Sequence, residues 1–229
     1  MRNILTILAV LAVIAVLGVA AMEYFGGPSS DQQAGPPATS PAAPAAPAAK
    51  TAPIEIGADE FIIGDAKAPV TIIEYASLTC PHCANFHVNI LPKLKKSYID
   101  TGKARLVYRD FPLDRLALSG SMMARCAGRE RYLGFIDTMF RKQASWKAAK
   151  DQLKALARIG LLGGISQKDF DACMKNKALE DQVMAMRLDA QNKFAIDSTP
   201  SFIINGKKYP GVVNFAGFEK ILEPLLKQQ

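Results

Sequence analysis

Cys80 and Cys83 stand two residues apart in the stretch SLTCPHCANFH, together with His82 and His87, the 2 histidines of the chain. Cysteines at this spacing can form a reversible disulfide, supply half of a tetrahedral metal site, or close a permanent bridge. A metal site needs further ligands. His87 follows Cys83 by one helical turn, but no second C-x-x-C and no histidine pair occurs elsewhere. Met122, Met123, Met184 and Met186 would suit copper, yet methionines at helical spacing ordinarily fill a core. A bridge across two residues closes too little chain to constrain the unfolded state. Reversible thiol–disulfide exchange fits the pair best, and neither a metal nor another cofactor is expected. An extracytoplasmic metal-binding or chaperone module built on Cys80, Cys83 and His87 is the non-enzymatic alternative.

Exchange needs a thiolate, so the surrounding elements must stabilise one. APVTIIEYASL, a β-branched run after Pro69, reads as a buried strand. From Cys80 onward Phe86, Ile90, Leu91 and Leu94 recur at helical spacing, with Pro92 as a kink or a stop. Cys80 therefore falls at a helix N-terminus, where free N–H groups and the macrodipole favour negative charge. Pro81 suits the first turn, where its missing N–H is not needed. His82 can donate to the Cys80 sulfur or place a cation near it. Cys83 lies one turn on and closes the ring, and His87 reads as a residue of the helix face. Stabilising the thiolate stabilises the reduced pair and makes the disulfide a stronger oxidant.

Further elements follow in order. GKARLVYRDFPL is a second strand ended by Phe111-Pro112, giving a right-handed strand–helix–strand unit. From Asp114 to about Lys177 no strand-like run occurs, and three or four helices are expected, one opened by Ser166 with Asp169 three residues on. Another helix spans about Lys177 to Phe194. STPSFIINGKKYPGVV, with Asn205-Gly206 between two runs, is a β-hairpin signature. NFAGFEKILEPLLKQ closes the folded part as an amphipathic helix, broken or bent at Pro224. Thr199-Pro200, directly before a strand, is either a cis peptide or a trans proline at a strand edge. A C-x-x-C on a strand–helix–strand unit favours the cis form. Glu74, inside an apolar strand, requires a partner or a raised pKa. It either relays a proton from Cys83 or pairs with a nearby lysine.

The ends of the chain bear on its compartment. Arg2 precedes an uncharged apolar run from Ile4 to Met22, in outline an export element. Residues 1–25 are expected to be a signal peptide, cleaved after Val19-Ala20-Ala21, or an uncleaved membrane anchor. Residues 26–53 are rich in Pro and Ala and read as an extended linker, which favours the anchor. Either outcome exports the remainder to an oxidising compartment where disulfides persist. The net charge is +7, but basic residues are spread along the chain, so nucleic-acid binding is not expected.

EYASLTCPHC, YRDFPL and STPSFIING, in this order and with a helical block between the last two, resemble the DsbA-type thiol–disulfide oxidoreductases of the thioredoxin-like superfamily. The resemblance implies an α/β, thioredoxin-like fold formed by 54–113 and 178–229, with an inserted helical domain at 114–177. It also implies a low-pKa, oxidising cysteine pair, as is known for that family. Cys80 would form the mixed disulfide and Cys83 would resolve it, with Pro81 and His82 within the ring. Pro200 would be the cis-proline beside the sulfurs, and the Thr199 backbone would pair with an extended substrate. Glu74 matches a buried acid of the family, whereas His87 falls where many relatives carry an acid. Reduced, unfolded exported proteins would be the substrates of a monomeric enzyme in the periplasm. A membrane quinone-linked partner would re-oxidise it. An isomerase or reductase of the same fold is the alternative direction. Cys126 and Cys173, both in the helical block, depart from the simplest family pattern and are expected to form a structural disulfide.

Overall fold

The computed structural model describes residues 55–228 apart from 58, 211 and 213. The export element and the linker expected at 1–25 and 26–53 lie outside the described residues. Among those described, no helix is long and apolar enough to cross a membrane.

Strand β2 (Val70–Ala76) is buried along nearly its whole length, as a run without polar alternation requires. It runs parallel to β3 (Ala104–Asp110) and antiparallel to β4 (Ser201–Ile204). The edges are β1 (Phe61–Ile63), antiparallel to β3, and β5 (Lys207–Pro210), antiparallel to β4. The sheet order is thus β1-β3-β2-β4-β5. Sequence reasoning did not find β1. Three residues are too few to show a period, and pairing with β3 makes the strand. The hairpin forms as expected: Asn205 and Gly206 both have positive φ, 44° and 84°, which a two-residue turn with matching twist demands.

The connection from β2 to β3 is one helical run in four parts. Helix α1 (Pro81–Asn85) leads into a π-turn at Phe86–Ile90, then α2 (Leu91–Leu94), then a second π-turn at Lys95–Ile99. Pro92 does not stop it. Pro92 sits in the first turn of α2 beside the π-turn, so the missing N–H is absorbed by the local change of hydrogen bonding.

The block between β3 and the hairpin holds more helices than expected. They are α3 (Arg115–Cys126), α4 (Arg129–Arg141), α5 (Gln143–Lys147), α6 (Gln152–Leu162) and α7 (Gln167–Met174). The extra one is α5, a single short turn set off from α4 at Lys142 (φ −101°, ψ 11°). Ser166 caps α7, accepting from the Asp169 N–H at 3.1 Å and donating to its carboxylate at 2.7 Å. Helix α8 spans Lys177–Phe194. Helix α9 runs Phe215–Leu226 with Pro224 inside its last turn, so the expected break is absent.

Both sheet faces are covered. Ile72, Leu106 and Phe202 pack with Phe86, Leu94 and Phe218 from the flanking helices. Ile73, Val107 and Ile203 pack on the other side with Ala190 and Ile196. A third cluster joins Leu78 and Cys83 to Tyr132, Met139 and Trp146 of the helical block. The result is a thioredoxin-like fold with an inserted helical domain, and the C-terminal end of β2 lies at their junction.

Candidate active site

Cys80 ends the turn after β2 and is the extended N-cap of α1 (φ −76°, ψ 121°). Both Cys80 and Cys83 are free and buried thiols. Their surroundings divide them. Hydrogen bonding from Cys83 pulls the Cys80 thiol down to about 5 against the opposing effect of burial, helped by Thr199 and by the main-chain N–H groups of Cys83 and His82. As a thiol, Cys80 donates to the Thr199 carbonyl at 3.2 Å. The Thr199 hydroxyl is buried without a partner at bonding geometry, and its proton favours the thiolate beside it. Burial pushes the Cys83 thiol well up, as do its bond to Cys80 and the charge of Glu74. One ring therefore holds an easily ionised sulfur and a reluctant one.

The other expected residues fall as follows. Pro81 occupies the first turn of α1. His82 is exposed, and its main-chain N–H is turned toward the Cys80 sulfur. Thr199-Pro200 is a cis peptide, directly before β4. Cys126 and Cys173 are joined by a disulfide with a Cα–Cα distance of 6.2 Å, linking α3 to α7.

Glu74 is completely buried on β2, and neither a lysine partner nor a bystander His87 is found. His87 is itself buried, with Nε2 2.8 Å from Glu74 Oε2. Its ring stacks on Phe140 at 4.2 Å and meets Tyr108 edge-on. The π-turn at Phe86–Ile90 faces His87 inward. The period read along the chain gave no warning of this. Burial raises the Glu74 carboxyl, opposed by His87 and reinforced by Cys80. Glu74 Oε1 and the hydroxyl of Tyr108, its register neighbour on β3, are both buried without a partner. A carboxyl whose pKa is raised thus lies close enough to Cys83 to act on its thiol, with two unpartnered buried polar atoms at the same place.

Among the described residues no cluster of three or more His, Cys, Asp or Glu side chains is placed to hold a metal ion. His87, the third ligand of the metal reading, is engaged by Glu74 through Nε2. Met122 and Met123 are core residues, and Met186 accepts from Arg125.

Sequence reasoning missed Asp114, whose carboxylate accepts from Thr79 Oγ1 at 2.6 Å and caps α3 through the Ala117 N–H at 2.8 Å. An aspartate just before a helix is a readable cap signal; its hold on the residue before Cys80 is not. Ser77 adds to the same turn, bridging Thr79 and the Leu113 N–H.

The family model described as Thioredoxin matches residues 58–224. A Rickettsia felis protein named as a protein-disulfide oxidoreductase is 33% identical over 149 residues, 65% of this chain and 54% of that protein. The chain thus spans about half the length of the Rickettsia relatives it matches. Disulfide bond formation protein D of Bacillus subtilis is 26% identical, over 73% of this chain and 76% of that protein. The crystal structure of Wolbachia pipientis alpha-DsbA1 superposes with a TM-score of 0.69 at 34% identity, covering 76% of this chain and 94% of that one. With its thiol pair at the N-terminus of α1, facing a cis-proline across the end of β2, the chain belongs to the thioredoxin-like family of DsbA-type thiol–disulfide oxidoreductases.

Proposed function

We propose that the chain is a thiol–disulfide oxidase that donates the Cys80–Cys83 disulfide to exported proteins as they fold. The observation that carries this reading is the division between the two sulfurs: Cys80 is lowered to about 5, while Cys83 is raised.

A substrate thiolate attacks Cys80 Sγ in the oxidised pair. The Cys80–Cys83 bond breaks, and Cys83 leaves as a thiolate. Cys83 then takes up a proton, for which its raised pKa gives the driving force, and the raised carboxyl of Glu74 is the donor at hand. A second substrate thiolate attacks the substrate sulfur of the mixed disulfide. Cys80 departs as a stable thiolate, and two electrons have passed from substrate to the pair. The low pKa of Cys80 makes it the better leaving group in this last step. Glu74 takes a proton back from solvent before the next cycle. The Thr199 backbone, adjacent to Cys80 and at the start of β4, pairs with the extended substrate segment.

This reading places the folded part outside the cytoplasm, in the periplasm, with the apolar run in 1–25 as export signal or anchor. The Cys126–Cys173 bond supports an oxidising compartment. Reduced, unfolded exported proteins are the substrates of a monomer, and a membrane quinone-linked protein restores the disulfide.

Refolding of a reduced disulfide protein tests the reading. Wild type should accelerate it and Cys80→Ser should not, and equal rates would sink the proposal. The reduction potential fixes direction, since a value near that of thioredoxin would mark a reductase instead.

A further inference from the structure

The turn that carries Cys80 offers its carbonyl oxygens away from the sheet, and one short helix collects them. Gln143 Nε2 donates to the carbonyls of both Leu78 and Cys80, each at 2.8 Å, and Lys147 Nζ donates to the carbonyl between them, Thr79, at 2.5 Å. Gln143 and Lys147 are one helical turn apart on α5, so both project from one face of it. Gln143 is 7% exposed, and Lys147 is half-buried in the wall of the groove beside Cys80. These donors come from more than sixty residues downstream, in the inserted helical domain.

Few other groups could hold this segment. The Cys80 carbonyl also accepts from the Ala84 N–H of α1 at 3.2 Å, and the Cys80 N–H donates to Ser77. The side-chain contacts of Thr79 fix its hydroxyl, and no contact of that set reaches the carbonyls of Leu78 or Thr79. Trp146, between the two donors in sequence, is buried and donates to the Met139 carbonyl at 2.8 Å, which pins α5 against α4. The clamp is thus a rigid bracket. The other charged groups on this groove are Asp114 and Arg115 of α3, Lys150 and Asp151 before α6, and Glu180 of α8.

We propose that Gln143 and Lys147 are positioning residues that hold the Leu78–Thr79–Cys80 main chain against α5, and that Lys147 brings a cation to the residue preceding the nucleophile. The inserted domain is then part of the exchange site, extending the oxidase reading on which this inference rests. Two consequences follow from the physics. A fixed main chain keeps Cys80 Sγ against the N–H groups of His82 and Cys83 and beside Thr199, so no ordering is required when a substrate sulfur arrives. A fixed positive charge nearby favours the thiolate over the thiol. Releasing either donor frees the turn or removes the charge, and both changes act in the same direction on Cys80.

The test measures alkylation of Cys80 by iodoacetamide against pH in the full, folded chain, with the label located by mass. Lys147→Met and Gln143→Met keep the side-chain bulk and remove the donors. Each should raise the pH midpoint by about half a unit, about threefold in the ionisation constant. The equilibrium constant with glutathione should shift threefold toward a weaker oxidant, about 15 mV. Lys147→Arg, which still reaches the carbonyl, should restore the wild-type midpoint. Gln143→Glu, which turns an acceptor toward two carbonyl oxygens, should not. Unchanged midpoints in both methionine variants, with native circular dichroism, would overturn the clamp. Should Gln143→Met fail to fold, the partly exposed Lys147→Met decides alone. If the methionine variants show these shifts but the wild-type chain does not refold a reduced substrate, the oxidase reading would sink and the clamp would stand.

Discussion

The chain uses the same side chain in two places for opposite ends. Cys80 and Cys83 sit at the start of α1, against main-chain N–H groups, Thr199 and the buried Glu74–His87 pair. Cys126 and Cys173 join α3 to α7, and Cys173 packs with Leu118, Met122 and Val183. The first pair closes four residues of chain, the second a loop with a separation of 47. A short ring constrains little of the unfolded state and so can open and close at little cost to the fold. A long loop removes much chain entropy and so serves as a staple. Surroundings then add the second difference. The polar frame around Cys80 separates the ionisation of its two sulfurs, whereas an apolar shell offers a thiolate nothing. Reactivity here is a property of the site, and cysteine is only its carrier.

The strongest way to break this comparison is to remove the staple. Replacing both Cys126 and Cys173 with alanine should cost about 4 kcal/mol of stability in the chain-entropy model, read by denaturant unfolding, while refolding activity on a reduced substrate persists at temperatures where the variant is folded. Loss of activity with little loss of stability would reverse the assigned roles. Next in size is the proton behind Cys83. Glu74→Gln keeps a bond to His87 but gives no carboxyl, and the departure of Cys83 from the Cys80–Cys83 disulfide as the mixed disulfide forms on Cys80 should slow about a hundredfold, the lower end for a positioned acid or base. Stopped-flow measurement of that step alone would show it, and an unaltered rate would remove Glu74 from the relay.

A smaller effect concerns pH. Cys80 alkylation should be half-maximal near pH 5 and level by pH 7. At pH 6 the gain in thiolate exceeds the loss of intrinsic nucleophilicity, leaving Cys80 about tenfold faster than an ordinary thiol. The pKa is lowered on folding, so the reduced protein gains stability that is full above about 9, declines below that, and is gone under about 5. A midpoint near 9 would erase the contrast between the pairs. The smallest effect links them. Asp114→Ala removes the α3 cap and the Thr79 contact, costing about 1 kcal/mol. It should lower Tm, read by thermal unfolding, because α3 touches the turn before Cys80 at one end and carries Cys126 at the other.

The sequence by itself determined what depends on neighbours along the chain. C-P-H-C between an apolar run and a helical run, Asn205-Gly206 between two strand segments, Ser166 before α7 and the extent of α8 are all set within a few residues, where propensity and hydrogen bonding act directly. The three-residue β1, the separation of α5 from α4 and the passage of the helices through Pro92 and Pro224 were not legible. Pairing, packing and local π-turns decide them. The site divides the same way. Cys80 and Cys83 were visible, and so was Thr199-Pro200, because each is a local pattern. The pairing of His87 with Glu74 and the reach of Gln143 and Lys147 to the turn before Cys80 required the tertiary structure. Partners far apart in sequence meet only when the sheet and the inserted domain are packed, and hydrogen bonding and burial then set the two sulfurs apart and raise the Glu74 carboxyl.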